Sequence, residues 1–248
     1  MQLANSVLSR FIDRGRSMMA RRDILALLAA SAASFVQGCS PSKTRRFKIA
    51  VEVATPHGPR SGYSVVEESI TPAGGLSISD NRYSSMFRGE AVSVKLPNER
   101  YLFALLNNGQ SLDMPNLIGR TFYPGGRQSG EPFRKVGDPP LEMPAIARGL
   151  NEPGKPLLVT FRNLDDPSSV ERVDPENLAA AFGPGYALSR ITVEVTEEPV
   201  TVGLEKRLTW LRSHRGTLKP NPPRHLIDSR DPDLRLLGTA AFSTELFK

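Results

Sequence analysis

Short segments in which apolar and polar residues alternate, each ended by turn-forming residues, constrain the fold of this chain most strongly. Residues 47–54 alternate strictly, and the turn-forming residues Thr55, Pro56 and Gly58 follow them. A period of two is typical of a strand with one buried face. Further strands are predicted at 63–70, 90–96, 101–106, 157–161, 189–196 and 240–247. Short strands at this spacing predict a mainly β (α+β) fold, arranged as an antiparallel sheet or a β-sandwich.

Two short helices are predicted within this β-rich pattern. The first has Asp174 as its N-cap and Pro175 at its first helical position, and Gly183 ends it. Asp favours a helix start because its side chain accepts a free backbone N–H, and Gly favours a helix end because it adopts left-handed backbone angles. The second is an amphipathic helix over residues 204–211, where leucines recur at i, i+4 and i+7.

An irregular insertion is predicted at residues 107–156. These residues include eight glycines and eight prolines, which is too many for regular helices or strands. A long loop of this kind is either functional or poorly ordered, and the sequence favours neither alternative. The apolar residues Leu117, Ile118 and Phe122 predict that parts of the insertion pack on the body of the domain.

Residues 1–38 form a predicted export signal, in which basic residues precede an apolar segment. That segment, residues 24–36, is thirteen residues long, shorter than the ~20 residues that a membrane-spanning helix needs. A start at Met18 or Met19 would give a signal of ordinary length. The alternative is a short buried helix of the folded domain. The absence of a polar stripe along the segment argues against that alternative.

The end of this segment resembles the lipobox of bacterial lipoproteins. It reads Val36-Gln37-Gly38-Cys39, with Gln37 in the place of the usual small residue, and Cys39 is the only cysteine of the chain. The resemblance implies that the chain is cut before Cys39 and that Cys39 carries a diacylglyceryl thioether and further acyl chains such as palmitate. Residues 39–46 would then be a lipidated tether, and residues 47–248 a single β-rich domain. An ordinary signal peptide with a free cysteine is the alternative.

Arg21 and Arg22 precede one polar and two apolar residues, which resembles a twin-arginine export motif. Such a motif is an address that a receptor reads, and it does not itself anchor a protein. General secretory export is the alternative. Together with Cys39, the motif predicts a membrane-anchored, periplasm-facing protein of the cell envelope. Ser40 after the cysteine favours the outer membrane by analogy with lipoprotein sorting.

The charge balance argues against nucleic acid as a partner. The formal net charge is +6, but residues 1–39 hold five arginines and two aspartates, so the remaining 27 basic and 24 acidic residues leave +3. Nucleic-acid binding normally needs a dense basic surface. The expected partners are the membrane, through the acyl chains on Cys39, and an envelope protein or glycan.

Sequence motifs for catalysis and metal binding are missing. The three histidines, His57, His214 and His225, do not have the spacing of metal ligands, and no nucleophile elbow or phosphate-binding loop is present. An acidic cluster near Asp231 is better explained as a turn than as a calcium loop. Trp210 either forms a cation–π patch with nearby arginines or, as we favour, covers a seam between a helix and the sheet. No catalytic residue, cofactor or metal site is therefore predicted.

Blocks of the domain resemble a group of uncharacterised bacterial proteins with no assigned activity, so the resemblance carries over no catalytic residue. The blocks are 88–92, 102–106, 159–185 and 198–201, with Glu205 and Trp210.

The expected function is a lipid-anchored envelope lipoprotein that acts as a structural or binding module. The alternative is an envelope hydrolase whose site is assembled from distant residues, with His57, His225 and Glu90 as candidates.

Overall fold

Two antiparallel sheets dominate a computed structural model of the protein. The model describes residues 43–72, 83–107, 113–126, 128, 131–147, 152–219, 234 and 236–246, which all belong to one unit, Ser42–Lys248. The strands are β1 (Lys43–Ala54), β2 (Arg60–Pro72), β3 (Tyr83–Arg88), β4 (Val92–Lys95), β5 (Tyr101–Ala104), β6 (Leu141–Glu142), β7 (Ile146–Ala147), β8 (Glu152–Pro153), β9 (Leu158–Phe161), β10 (Val170–Val173) and β11 (Ala187–Thr196). The helices are α1 (Met114–Phe122) and α2 (Leu178–Phe182). The predicted mainly β, antiparallel fold class is confirmed.

The larger sheet has five strands in the order β3-β2-β1-β11-β6, and every pair is antiparallel. In β1 the residues alternate between buried and partly exposed, as the period of two predicts. Ile49, for example, is fully buried and lies opposite Ser64 on β2 and Val193 on β11. One face of this sheet therefore belongs to the core, while the other carries polar side chains.

The smaller sheet has four strands in the order β10-β9-β5-β4, and a separate two-stranded pair joins β7 to β8. All residues of β9 are buried, as are Leu102, Phe103 and Ala104 of β5. The continuous apolar stretch at 101–106 predicts a central strand, and β5 occupies that position. Both faces of this sheet must therefore be covered by other parts of the chain.

Two apolar cores result from this arrangement. The first fills the space between the two sheets and includes Ile49, Val94 and Leu102. The second lies on the other face of the smaller sheet, where segments from the last fifty residues cover it. Its buried members include Phe103, Val159, Phe161, Leu204, Leu208, Trp210, Leu211, Leu237 and Phe242.

The insertion at 107–156 is more regular than its glycine and proline content predicts. It contains the helix α1, whose N-cap Asp113 accepts a hydrogen bond from Asn116 N–H at 2.9 Å. Leu117, Ile118 and Phe122 of this helix are buried in the first core, so the prediction that parts of the insertion pack on the body is confirmed. Pro115 sits in the first turn, where its missing N–H costs no hydrogen bond.

Both predicted helices differ from the structure at their ends or in their type. The helix α2 begins after Asn177, whose side chain caps Ala180 N–H, while Asp174 only forms the preceding turn. Gly183 ends the helix as predicted. The predicted helix at 204–211 is instead two short 3-10 turns, Leu204–Lys206 and Thr209–Arg212.

The predicted strand at 240–247 is wrong for the residues that the structure describes. Thr239–Ala241 form a 3-10 turn, and Ser243 makes only an isolated antiparallel bridge with Glu90. The backbone is fixed by single contacts to the start of β4, since Phe242 C=O accepts Ala91 N–H at 2.7 Å. Phe242 and Leu246 have the spacing of a strand, but they are buried in the second core without forming one. The prediction also omitted β3 and β10.

Candidate functional site

The residues with the strongest predicted roles lie outside the described part of the chain. These are Cys39 for lipid attachment, Arg21 and Arg22 for export, and His225 as a candidate of the hydrolase alternative. Their roles stay predictions. The acidic cluster around Asp231 is outside the described residues as well.

The two described histidines lie in separate places and make local contacts. His57 is exposed in the turn after β1, where its backbone N–H donates to Thr55 Oγ1 at 3.2 Å. His214 has its Nε2 3.1 Å from Thr217 C=O, and its ring packs edge-on against Trp210. The contacts found for these two side chains do not include Glu90 or another carboxylate.

A cleft of about 410 Å³ opens where β2 passes β4 and the segment 201–207. Its volume falls in the range of pockets that bind small molecules or a short segment of a polymer. Thr201 ties the segment to β2, because its Oγ1 accepts Val65 N–H at 2.9 Å and its own N–H donates to Val65 C=O at 3.0 Å. The lining residues are Ser61, Gly62, Tyr63, Glu90, Ala91, Ser93, Thr201, Val202, Gly203, Leu204 and Arg207.

Gly62 allows the two sheets to meet at the base of this cleft. A Cβ atom at this position would lie 2.2 Å from the carbonyl oxygen of Ser93 and 3.2 Å from Cα of Val94. Such distances are far inside van der Waals contact, and the atoms in the way are backbone. Only glycine therefore permits this approach between β2 and β4.

Glu90 lies in the wall of the cleft, where only 2% of its surface is exposed. Its Oε2 accepts the backbone N–H of Leu204 at 2.8 Å, and its Oε1 accepts the hydroxyl of Ser243 at 3.1 Å. The backbone carbonyl of Glu90 accepts the hydroxyl of Ser64 at 2.7 Å. Glu90 thus connects three parts of the chain: strand β2, the 3-10 turn Leu204–Lys206, and the C-terminal segment that contains Ser243.

Burial raises the pKa of the Glu90 carboxyl above its ordinary value. Leaving water disfavours the charged form, and the hydrogen bonds from Leu204 and Ser243 offset this effect only in part. A carboxyl in this state holds its proton to a higher pH than an exposed glutamate does.

Arg207 brings a positive charge to the mouth of the cleft. Its guanidinium lies 4.9 Å from the centre of the Tyr101 ring and donates to Ser93 Oγ. The sequence suggested a cation–π contact with Trp210, but Arg207 instead covers Tyr101. Trp210 is buried against Phe161, and its Nε1–H donates to Leu164 C=O at 2.8 Å. Trp210 therefore covers a seam on the smaller sheet as we favoured, but the segment that carries it is a 3-10 turn and not the predicted helix.

Two apolar side chains are exposed beside the cleft. Tyr63 exposes 53% of its surface, and Val202 is exposed as well. Lys48 Nζ lies 4.4 Å from the centre of the Tyr63 ring and 2.6 Å from Glu198 Oε1, and this hydrogen bond raises the pKa of Lys48. The cleft therefore offers an aromatic face, a guanidinium and hydroxyl groups, a combination that suits a ligand with both apolar and polar surfaces.

The described residues contain no group of three His, Cys, Asp or Glu side chains placed to hold a metal ion. Within the same part of the chain, no helix has the length and apolar character needed to cross a membrane. A second, smaller cavity of about 240 Å³ lies beside α1 and β6, next to Arg120 and Glu142.

Comparisons with protein families, curated proteins and solved structures found no match for this chain. The cleft must therefore be interpreted from its own chemistry.

Sequence reasoning named Glu90 as a candidate but missed Gly62 and Tyr63. The local signal for Tyr63 is its place on the face of β2 opposite to the buried residues Ser64 and Val66.

Proposed function

We propose that the protein is a lipid-anchored lipoprotein of the cell envelope, with its β domain facing the periplasm as a binding module. The lipobox-like ending at Cys39, the only cysteine of the chain, supports the anchor. The cleft beside Tyr63 and Arg207 supports the binding role. The expected partner is an envelope protein or glycan, and the outer membrane is the favoured location.

The observation that carries the binding role is how the wall of the cleft is held. Both carboxylate oxygens of Glu90 accept hydrogen bonds from the protein itself, so this group stabilises the wall. The exposed side chains of the lining include Tyr63, Val202 and Arg207. Exposed aromatic and arginine side chains carry much of the affinity in known interfaces.

The anchor is tested by Cys39→Ser, since only a thiolate forms the thioether. The wild-type protein should incorporate labelled palmitate and stay with the membrane after salt and carbonate washing, while Cys39→Ser should lose both properties. Gln37→Ala is the matched control, because it places a small residue beside Gly38 and should keep the label. A Cys39→Ser protein that is processed and still stays with the washed membrane contradicts the anchor.

The binding role is tested by placing a photo-crosslinking amino acid at Tyr63 in cells. Arg190 is the control position, because it is exposed on the polar face of β11 and lies outside the cleft lining. A crosslinked protein or glycan at Tyr63, absent at Arg190 and lost in the Arg207→Ala background, supports the module. The same products from both positions, or none from Tyr63, contradict it.

A hydrolase with a non-local site is the second candidate, and one observation favours it. Glu90 is a buried carboxyl with a raised pKa beside an open cleft, as general acids often are. The test is the release of soluble fragments from purified cell-wall sacculi. Release by the wild-type protein that Glu90→Gln abolishes would favour the hydrolase. Equal values for the wild-type protein, Glu90→Gln and a buffer blank would favour the binding module.

A further inference from the structure

The first strand of the domain begins very close to the proposed lipid attachment point. The strand β1 starts at Lys43, four residues after Cys39. A chain of four residues spans at most about 14 Å. Acyl chains on Cys39 would therefore hold this end of the larger sheet against the lipid headgroups, whatever path the tether takes.

An exposed methionine lies at this end, on the outer face of the sheet. Thr44 of β1 pairs with Ser69 of β2, and Ser69 pairs with Met86 of β3. Two strand spacings, about 10 Å, therefore separate Met86 from Thr44. Met86 exposes 66% of its surface, so its apolar side chain is accessible at this end of the sheet.

The opposite face of the same sheet end carries a second apolar group. The Arg45 guanidinium lies 3.6 Å from the centre of the Phe133 ring. Phe133 exposes 46% of its surface, and Val136 exposes 50%. Val136 sits at the tip of a tight turn, because Asp138 N–H donates to Lys135 C=O and Lys135 N–H donates to Asp138 Oδ2.

The charges at this end complement an anionic lipid surface. Lys43 and Lys135 are exposed, and Arg45 faces Glu68 across the strand pair. Arg46 pairs with Glu67 and Arg134 with Asp138, while the carboxyl of Glu68 lies within reach of the charges of Arg45 and Asp113. Cations beside exposed apolar side chains are typical of surfaces that lie in the headgroup layer.

We propose that these six residues form a surface that contacts the bilayer, here called the anchor-side rim: Lys43, Arg45, Met86, Phe133, Lys135 and Val136. The apolar members enter the headgroup layer, and the basic members bind lipid phosphates. The proposal rests on the lipid anchor at Cys39 proposed above. Its occupant is the lipid surface itself, because a tether this short brings that surface to the rim.

This orientation places the cleft away from the membrane. Tyr63 pairs with Ala50, seven residues along β1 from Lys43, which corresponds to about 23 Å along the strand. The turn with His57 follows the far end of β1, about 36 Å or more from Lys43. A ligand would therefore reach the cleft from the periplasm without entering the headgroup layer.

The test uses the full lipidated protein in vesicles of phosphatidylethanolamine and phosphatidylglycerol. Because acylation consumes the only native thiol, a cysteine introduced at Val136→Cys or Met86→Cys takes a bimane label alone. His57→Cys, exposed at the far end of β1, is the matched control. Lipids with a bromine or nitroxide quencher should quench the labels at 136 and 86 strongly, and the label at 57 should respond only to aqueous iodide.

The outcomes separate the rim from the anchor. Labels at 136 and 86 that iodide reaches as freely as the label at 57, in protein whose Cys39 carries acyl chains, overturn the rim and leave the anchor intact. Labels that are shielded in cells but reached by iodide in vesicles assign the rim to a protein partner and also overturn the proposal. A free Cys39 thiol and a failure to enter vesicles overturn the anchor, and the rim falls with it.

Discussion

The two sheets of this domain differ in how many of their faces are buried. The five-stranded sheet buries one face in the first core and carries ion pairs on the other, where Arg46 and Arg88 both contact Glu67. The four-stranded sheet is buried on both faces, because Phe103 and Leu102 of β5 point into different cores. The first sheet needs one partner layer, and the second needs two.

This difference determines where each sheet obtains its stability. The five-stranded sheet pairs strands that are close along the chain, apart from β11. The second face of the four-stranded sheet depends on the described segments 204–219 and 236–246, whose regular elements are short 3-10 turns. The second core should therefore be more sensitive to single substitutions than the outer face of the larger sheet.

The largest effect is expected for Phe103→Ala. Phe103 is fully buried and packs against Phe161 and Phe242 at centroid distances of 5.6 and 6.1 Å. Removing such a ring should lower the free energy of unfolding by about 3–5 kcal/mol, measured by urea denaturation. Met86→Ala, on the exposed face of β3, is the control and should change it by no more than about 0.5 kcal/mol. Equal losses would remove the contrast between the sheets.

Gly62→Ala tests the place where the sheets approach each other. Its added Cβ would meet the Ser93 carbonyl oxygen at 2.2 Å, so β2 and β4 must separate, and the expected loss is about 1–3 kcal/mol. Gly119→Ala is a control of opposite sign. Gly119 lies in α1 with open space around it, and alanine there should stabilise the protein by about 0.5–1 kcal/mol. A tolerated Gly62→Ala would show that the approach can relax.

Glu90→Ala tests the connection between the cleft and the second core. The substitution leaves Leu204 N–H and the Ser243 hydroxyl without their acceptor, and a buried donor without a partner costs about 1–3 kcal/mol. Glu171→Ala on β10, whose carboxylate pairs with Arg162, is the matched control and should cost less than about 1 kcal/mol. Similar values for the two variants would mean that Glu90 does not fix the wall.

Glu90→Gln should reveal the titration of this carboxyl. Because its folded pKa is raised from the ordinary 4.5, the folded chain keeps the proton where the unfolded chain has lost it. Its contribution to stability is full below the unfolded pKa and is lost as pH rises through the folded pKa. Gln does not titrate, so the variant should gain stability relative to the wild type across that window. A difference that is flat from pH 4 upward would contradict the raised pKa.

The smallest effect is expected on the outer face of the five-stranded sheet. Arg190 donates to Glu52 at 2.8 Å, but the two side chains expose 54% and 36% of their surface, so solvent and salt screen the attraction. Arg190→Ala should leave the midpoint of urea unfolding within experimental error. A clear loss that added salt does not reduce would show that this face contributes more than its exposure indicates.

The elements of the domain also differ in how well the sequence predicts them. Alternation alone is sufficient for β1 and β11, since each keeps one face in the core. The sequence pattern did not predict helix α1, because Pro115 and Gly119 have low helix propensity, although Asp113 is an ordinary N-cap residue. Around Leu204, the leucine spacing predicts a helix, but the backbone at Leu208 (φ −107°, ψ 81°) leaves the helical range and divides the segment into two turns. The leucines are buried in the second core all the same, and this packing against distant parts of the chain leaves no local signal.

The candidate site was predictable only in part for the same reason. Glu90 can be named as a candidate acid from its residue type, but its burial depends on Ser243 and Leu204. Tyr63 and Arg207 line one cleft although 144 positions separate them. Only the packing of β2 against the segment 201–207 brings them together. Cys39, by contrast, is predicted from its immediate neighbours, because a signal is recognised as a linear sequence.

The position of Phe242 has a consequence for the order in which the chain becomes stable. Its ring completes the second core, and its carbonyl holds the start of β4 through Ala91. A ribosome delivers these residues more than 130 positions after β5. Until they emerge, the aromatic side chains of β5 and β9 lack their cover and remain open to chaperones and proteases. A nascent chain stopped before Phe242 should therefore be degraded, which makes completion of the polypeptide a condition for its survival in the cell.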